Sequence, residues 1–114
     1  MAFEGDAARG PNLFQLASAR ITWLGERQKL VAANIANADT PGYRARDVTP
    51  FEEMLSRGEL RPVEAKGGWD VSPDGNRVVL EEQALLATEI EGGHRMATQL
   101  YRKGHDLLRL AVKK

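Results

Sequence analysis

Lys29-Leu-Val-Ala-Ala-Asn-Ile-Ala-Asn-Ala-Asp-Thr-Pro-Gly-Tyr43 is a helical run that ends in a defined set of turn residues. Pro41 disfavours the α conformation at Thr40 and presets its own φ for the second position of a turn. Gly42 supplies the positive φ that the third position of a type II turn requires. The helix is therefore expected to stop near Asp39. Asn34 and Asn37 stand one turn apart on a shared face of it. Asn is a weak helix former that prefers caps and turns, so the pair reads as amides committed to a partner, with another subunit as the expected one.

Upstream of the exit, Leu13, Ala17, Ile21, Leu24, Gln28, Val31, Ile35 and Ala38 recur at spacings of three and four. They define one stripe of an amphipathic helix, widened by Leu16, Trp23 and Leu30. From about residue 12 to 39 such a helix is about 42 Å long. Asn12 is its N-cap, and Gly10 and Pro11 keep the preceding chain out of it.

The other end of the chain carries a stricter pattern. Val79, Gln83, Leu86, Ile90, Gly93, Ala97, Leu100, Gly104, Leu107 and Ala111 alternate spacings of four and three, which is a heptad seam. A helix over about 78–112 would reach about 50 Å. Gly93, Ala97 and Gly104 make the seam unusually small. Each glycine costs about 1 kcal/mol relative to alanine in a helix interior, and close approach of another helix is the expected compensation.

Between the helices, over about 43–77, periodicity fails and Pro50, Gly58, Pro62, Gly67, Gly68, Pro73 and Gly75 gather. One short helix is expected near 50–57: Thr49-Pro-Phe-Glu52 reads as a capping box, and Gly58 as the stop. Phe51, Met54 and Leu55 form its apolar side. Ser72-Pro-Asp-Gly75 supplies a turn back into the second long helix.

Several functional classes are disfavoured. The 114 residues suit a single domain. Sixteen Lys and Arg balance sixteen Asp and Glu, so no net field draws the chain to nucleic acid. No apolar run approaches the length of a membrane span, and Met1 to Gly10 lacks the apolar core of a signal peptide. With zero cysteines, a disulfide framework and a thiolate metal site are both excluded. His94 and His105 are about 16 Å apart on a helix, too far to share a metal. Asp74-Gly-Asn76 lacks the alternating ligands of a calcium loop and reads as a turn. Arg102, Lys103, Arg109, Lys113 and Lys114 complement the negative end of a helix dipole. No catalytic residue, cofactor site or metal site is expected.

Asn34, Ile35, Ala36, Asn37, Thr40, Pro41, Gly42 and Tyr43, followed by Arg44 and then Phe51, resemble the N-terminal signature of the bacterial flagellar rod and hook axial proteins. Asp74-Gly-Asn-Arg-Val78, Leu80-Glu81 and the tail Leu107-Leu-Arg-Leu-Ala-Val112 resemble the C-terminal helix of the proximal rod branch of that family. His94, Ile90 and Val79 depart from the pattern without breaking a helix, and the middle segment is short for the family. The resemblance implies export through the flagellum's own type III apparatus without a cleaved signal, and a place in the periplasmic rod of the basal body. It also implies partners: other copies of the chain, other rod proteins, and the membrane-ring and export-gate proteins, with no nucleic acid and no membrane span. Tyr43 and Arg44 would then lie at an intersubunit junction.

The expectation is a mainly α protein, two long N- and C-terminal amphipathic helices packed as an antiparallel coiled coil across an irregular middle. Residues expected at subunit contacts are Trp23, Leu24, Leu30, Val31, Asn34, Ile35, Asn37, Thr40, Pro41, Gly42, Tyr43, Arg44, Gly93, Ala97, Leu100, Gly104 and Leu107. Trp23, Leu30, Leu85, Met96, Tyr101, Leu108 and Leu110 flank the paired stripes and are expected to be covered by neighbouring copies. The alternative is a cytoplasmic helical-hairpin adaptor or export chaperone that offers one apolar groove to a partner helix.

Overall fold

In the computed structural model, residues 12–65, 75–76 and 78–112 are described. The elements run α1 (Leu13–Ala36), β1 (Arg46–Val48), α2 (Phe51–Arg57), β2 (Pro62–Glu64) and α3 (Leu80–Val112). Of the expected turn Ser72-Pro-Asp-Gly75 only Gly75, at φ 81°, is among the described residues, and Lys113 and Lys114 also lie outside them.

α1 starts as its sequence dictates. Asn12 Oδ1 accepts from Gln15 N–H at 2.9 Å, and Gln15 Oε1 accepts from Asn12 N–H at 3.0 Å. This reciprocal capping box satisfies two of the free N–H groups of the first turn. At its other end the helix tapers over Asn37–Asp39 and the chain reverses in a turn closed by Tyr43 N–H to the Thr40 carbonyl at 3.2 Å. Gly42 takes φ 77°, as the Pro-Gly pair requires.

α1 and α3 pack antiparallel along their length. Asn34 meets Gln83 near one end, Leu24 meets Gly93 in the middle, and Phe14 meets Gly104 near the other. The heptad is visible in burial itself: Gln83, Ile90, Ala97 and Gly104 on α3 are buried at every seventh residue, as are Ala17, Leu24 and Val31 on α1. The alternate seam positions lose cover along α3. Leu86 and Gly93 are half-buried, whereas Leu100 and Leu107 are 48% and 59% exposed. On α1, Ile35 and Gln28 stand outside the seam, and Asn34 occupies the core instead.

The reason is a third layer that covers only one end of the hairpin. β1 and β2 pair antiparallel, with Arg46 opposite Glu64 and Val48 opposite Pro62. This two-stranded ribbon was not expected. Together with α2 it clamps on α1, so that Trp23, Leu24, Val31, Val48 and Ile90 form one core, flanked by Leu30, Phe51, Met54, Leu60 and Leu86. Trp23, expected on an uncovered face, is instead 7% exposed. Its indole N–H donates to the Thr49 carbonyl at 2.7 Å, and its ring meets Phe51 edge-on at 5.7 Å. Arg20 stacks on both rings, and Arg27 reaches from α1 to grip both carboxylate oxygens of Asp47 at 3.0 and 3.2 Å.

α2 has the expected span, but its N-cap differs. Pro50 is the capping residue, and the Thr49 hydroxyl donates across the loop to the Glu59 carbonyl at 3.1 Å. Thr49 N–H also bonds the Arg61 carbonyl, so the ribbon claims the threonine that a capping box would have used. Gly58, at φ 73°, ends the helix with its N–H on the Met54 carbonyl.

Candidate assembly site at the helix exit

Asn34 is the centre of the helix-exit motif and is 1% exposed. Its Nδ2 donates to the Arg46 carbonyl at 2.9 Å and to Gln83 Oε1 at 3.0 Å. Its Oδ1 accepts from Arg46 N–H at 3.0 Å and from the Tyr43 hydroxyl at 3.2 Å. Two donors and two acceptors are all that a side-chain amide offers, so Asn34 has nothing left for another subunit. The amide pairs with both backbone groups of Arg46 as a neighbouring strand would, and so ties β1 to α1 on the edge that β2 leaves free.

Asn37 acts locally. Its Nδ2 donates back to the Ala33 carbonyl and its Oδ1 accepts from the Thr40 hydroxyl. Asn76, just before α3, then closes the junction from the other side. Its Nδ2 donates to the carbonyls of Asn37 and Thr40 at 2.9 and 2.6 Å, while its Oδ1 accepts from Val78 N–H at 2.8 Å. The α1 C-terminus, the turn, β1 and the α3 N-terminus are thereby joined through side-chain amides that cap otherwise free carbonyls. None of the buried side-chain polar atoms among the described residues lacks a partner.

Of the residues expected at subunit contacts, Trp23, Leu24, Val31, Asn34, Ala97 and Gly104 are buried within the chain. Leu30, Asn37, Tyr43 and Gly93 are half-buried, and Ile35, Thr40, Pro41, Gly42, Arg44, Leu100 and Leu107 are exposed. The exposed members fall into two groups: the rim of the exit turn, and the far half of α3. Gly93 and Gly104 receive side chains of α1 rather than its backbone. A Cβ at Gly104 would stand 3.0 Å from Phe14 Cε1, and one at Gly93 would stand 3.4 Å from Leu24 Cδ1. Phe14 also packs edge-on against Tyr101 and His105, with ring centroids 5.7 and 5.1 Å away.

Gln83, Asn76 and Arg46 are junction members that the sequence reading did not single out. Gln83 left a signal, being a polar residue at a seam position between Val79 and Leu86. Arg46 left none, because it takes part through its backbone. Among the described residues, no three His, Asp or Glu side chains gather in a way that could hold a metal, and no helix is long and apolar enough to cross a membrane. A groove of about 560 Å³ lies between the ribbon and the two helices, with Arg27, Arg46, Arg61, Glu53, Glu82, Val48, Val63 and Leu86 among its lining. Its four arginines are matched by four carboxylates, Asp47, Glu53, Glu64 and Glu82.

The hairpin thus carries a saturated amide junction at one end, while Leu100, Leu107, Leu108, Leu110 and Val112 stand exposed on the far half of α3. The family model described as flagella basal body rod protein matches residues 25–44, the stretch that contains the exit motif. The flagellar basal body rod protein FlgB of Agrobacterium fabrum is 32% identical over 127 aligned positions, covering 90% of this chain and 93% of the relative. FlgB of Salmonella typhimurium is 54% identical over 43 residues, 38% of this chain and 30% of that protein. FlgB of Escherichia coli is 53% identical over 36 residues, 29% of this chain and 26% of that protein. The chain belongs to the FlgB family of flagellar basal-body rod proteins.

Proposed function

We propose that this chain is a subunit of the proximal rod of the flagellar basal body, joining the membrane ring and export gate to the distal rod and transmitting torque without chemistry of its own. The observation that carries the reading is apolar surface left open on several faces. Leu85, Met96, Leu107, Leu108, Leu110 and Val112 are each more than half exposed on α3, and Leu13 and Ile35 nearly so on α1. A solitary monomer rarely leaves so much apolar surface to water. Its spread around two helices suits burial by several neighbours, where an adaptor would concentrate it in one groove. Heterologous contacts repeated by a rotation that does not close build a helical filament.

In this reading the covered half of the hairpin, with its clamp and amide junction, keeps its shape under load. The exposed rim of the exit turn (Ile35, Thr40, Pro41, Gly42 and Arg44) and the open half of α3 (Leu100 and Leu107) meet other copies and other rod proteins. Leu24, Val31, Asn34, Ala97 and Gly104 act from inside, by holding those surfaces in place. The subunit is exported through the flagellum's own apparatus and resides in the periplasmic rod. Deleting the gene and restoring it in trans tests the function. Loss of rods and of motility, both recovered with the wild-type copy, is the expected result, and intact rods in the deletion strain would refute it.

A further inference from the structure

α3 carries a second apolar stripe beside the one that packs on α1. At about 100° per residue, Leu85, Met96 and Leu107 recur every eleven residues, three turns apart, and so lie nearly in line. Their separation from the buried line of Gln83, Ile90, Ala97 and Gly104 narrows along the helix, from about 160° at Leu85 through about 100° at Met96 to about 60° at Leu107, and they are 72%, 65% and 59% exposed. Leu100 flanks them. Gly92 lies in the same stripe, and a Cβ there would meet nothing within 4 Å. Glu89 and Lys103 also lie in it, both exposed and neither with an ion-pair partner among the described residues.

The stripe is symmetric about Met96. Leu85 and Leu107 are each eleven residues from it, Glu89 and Lys103 each seven, and Gly92 and Leu100 each four. An identical stripe laid antiparallel and centred on Met96 brings Leu85 onto Leu107 of the second copy, and Glu89 onto its Lys103. Leu100 enters the gap above Gly92, and Met96 meets Met96. The contact runs for about 33 Å. Parallel in-register pairing would instead oppose Glu89 to Glu89 and Lys103 to Lys103, and like charges in contact destabilise a pair.

We propose that this stripe docks a second copy of the chain, antiparallel about a two-fold axis at Met96, giving a dimer of the free protein. Such a contact is isologous and closes on itself, so it cannot grow. It covers the apolar line of α3 in unassembled subunits and competes with any contact that propagates. The dimer does not depend on the function proposed above, because it is a property of the purified chain.

The absence of native cysteines makes the test direct. Only a residue on the two-fold axis can link to itself. Met96→Cys is therefore expected to form a disulfide-linked dimer on mild oxidation, Leu85→Cys is expected to remain unlinked, and Leu85→Cys combined with Leu107→Cys is expected to link. In sedimentation equilibrium the wild type should dimerise with rising concentration. Lys103→Glu should weaken the dimer about tenfold, and the swap Glu89→Lys with Lys103→Glu should restore it. A wild type that stays monomeric at every attainable concentration overturns the proposal. So does a dimer in which Leu85→Cys links to itself and Met96→Cys does not.

Discussion

Asn34 and Gln83, 49 residues apart in sequence, join their side-chain amides at 3.0 Å inside the interface of α1 and α3. They are 1% and 3% exposed. Farther along, the seam sets Ala17, Gly93, Ala97 and Gly104 beside the larger Leu24, Val31 and Ile90, so small residues that discriminate weakly between registers make up much of it. A slip of one turn would part Gln83 Oε1 from Asn34 Nδ2 and leave both buried groups short of a partner, and buried polar groups without partners are costly. The pair thus acts as a buried polar residue does in a coiled coil, selecting register by penalising the alternatives.

Asn34→Ala should therefore destabilise the isolated protein, by about 3 kcal/mol, because it strands the Arg46 amide and carbonyl together with Gln83 Oε1. Gln83→Ala should cost less, since it removes only one of the four bonds. Urea unfolding of the two single variants and the double variant would measure the coupling, expected at about 0.5–3 kcal/mol. Strictly additive losses would show that the two amides do not act together.

The glycines of α3 should separate by environment. Gly92→Ala meets open space and should stabilise by about 1 kcal/mol through helix propensity alone. Gly104→Ala presses a methyl onto Phe14, so that gain should shrink or reverse, and Gly104→Leu should displace Phe14 from Tyr101 and His105. Thermal unfolding followed by circular dichroism distinguishes the two sites. Equal stabilisation at both would mean that Phe14 yields freely.

Trp23→Phe preserves an aromatic ring beside Phe51 but removes the donor to the Thr49 carbonyl. A loss of about 1–3 kcal/mol is expected from the stranded acceptor. Amide hydrogen exchange would locate the damage. Faster exchange should centre on β1, β2 and α2, with the far half of the α1–α3 hairpin little changed, and uniform loosening of both helices would contradict a separately clamped third layer.

Much of this architecture was legible in the sequence because it rests on local rules. The Asn12 cap, the Pro41-Gly42 exit, the Gly58 stop and the seven-residue recurrence each depend on backbone chemistry or helical period within a few residues. What stayed hidden depends on tertiary contact. The strands are three residues each, and Arg46-Asp47-Val48 and Pro62-Val63-Glu64 are too short to carry an alternation that would reveal them. Thr49 satisfies every local condition for a capping box, yet its hydroxyl is taken by Glu59 from across the loop. Ile35 fits the apolar period better than Asn34, but Asn34 is buried because β1 needs an amide there. A stripe drawn from hydrophobicity alone cannot register that need.

Gly42 tests the exit turn. With φ 77° and no atom near its missing Cβ, the constraint is conformational and not steric crowding. Gly42→Ala should lose about 1–2 kcal/mol and Gly42→Val more, whereas Gly42→Asn, which tolerates this region, should lose least. Denaturant midpoints for the three variants should follow that order, and a Val variant as stable as wild type would argue that the turn can adopt another form.

The central claim is that this chain is built into the rod with its own hairpin intact, its open apolar faces covered by neighbours. Cryo-electron microscopy of basal bodies from the source bacterium tests that claim most directly. The account predicts density for this chain in the proximal rod, with α1 and α3 antiparallel, Asn34 still bonded to Gln83, and Leu85, Met96 and Leu107 buried against other subunits. Rods that lack the chain, or that hold it with α1 and α3 separated and Leu85, Met96 and Leu107 still facing water, would contradict it.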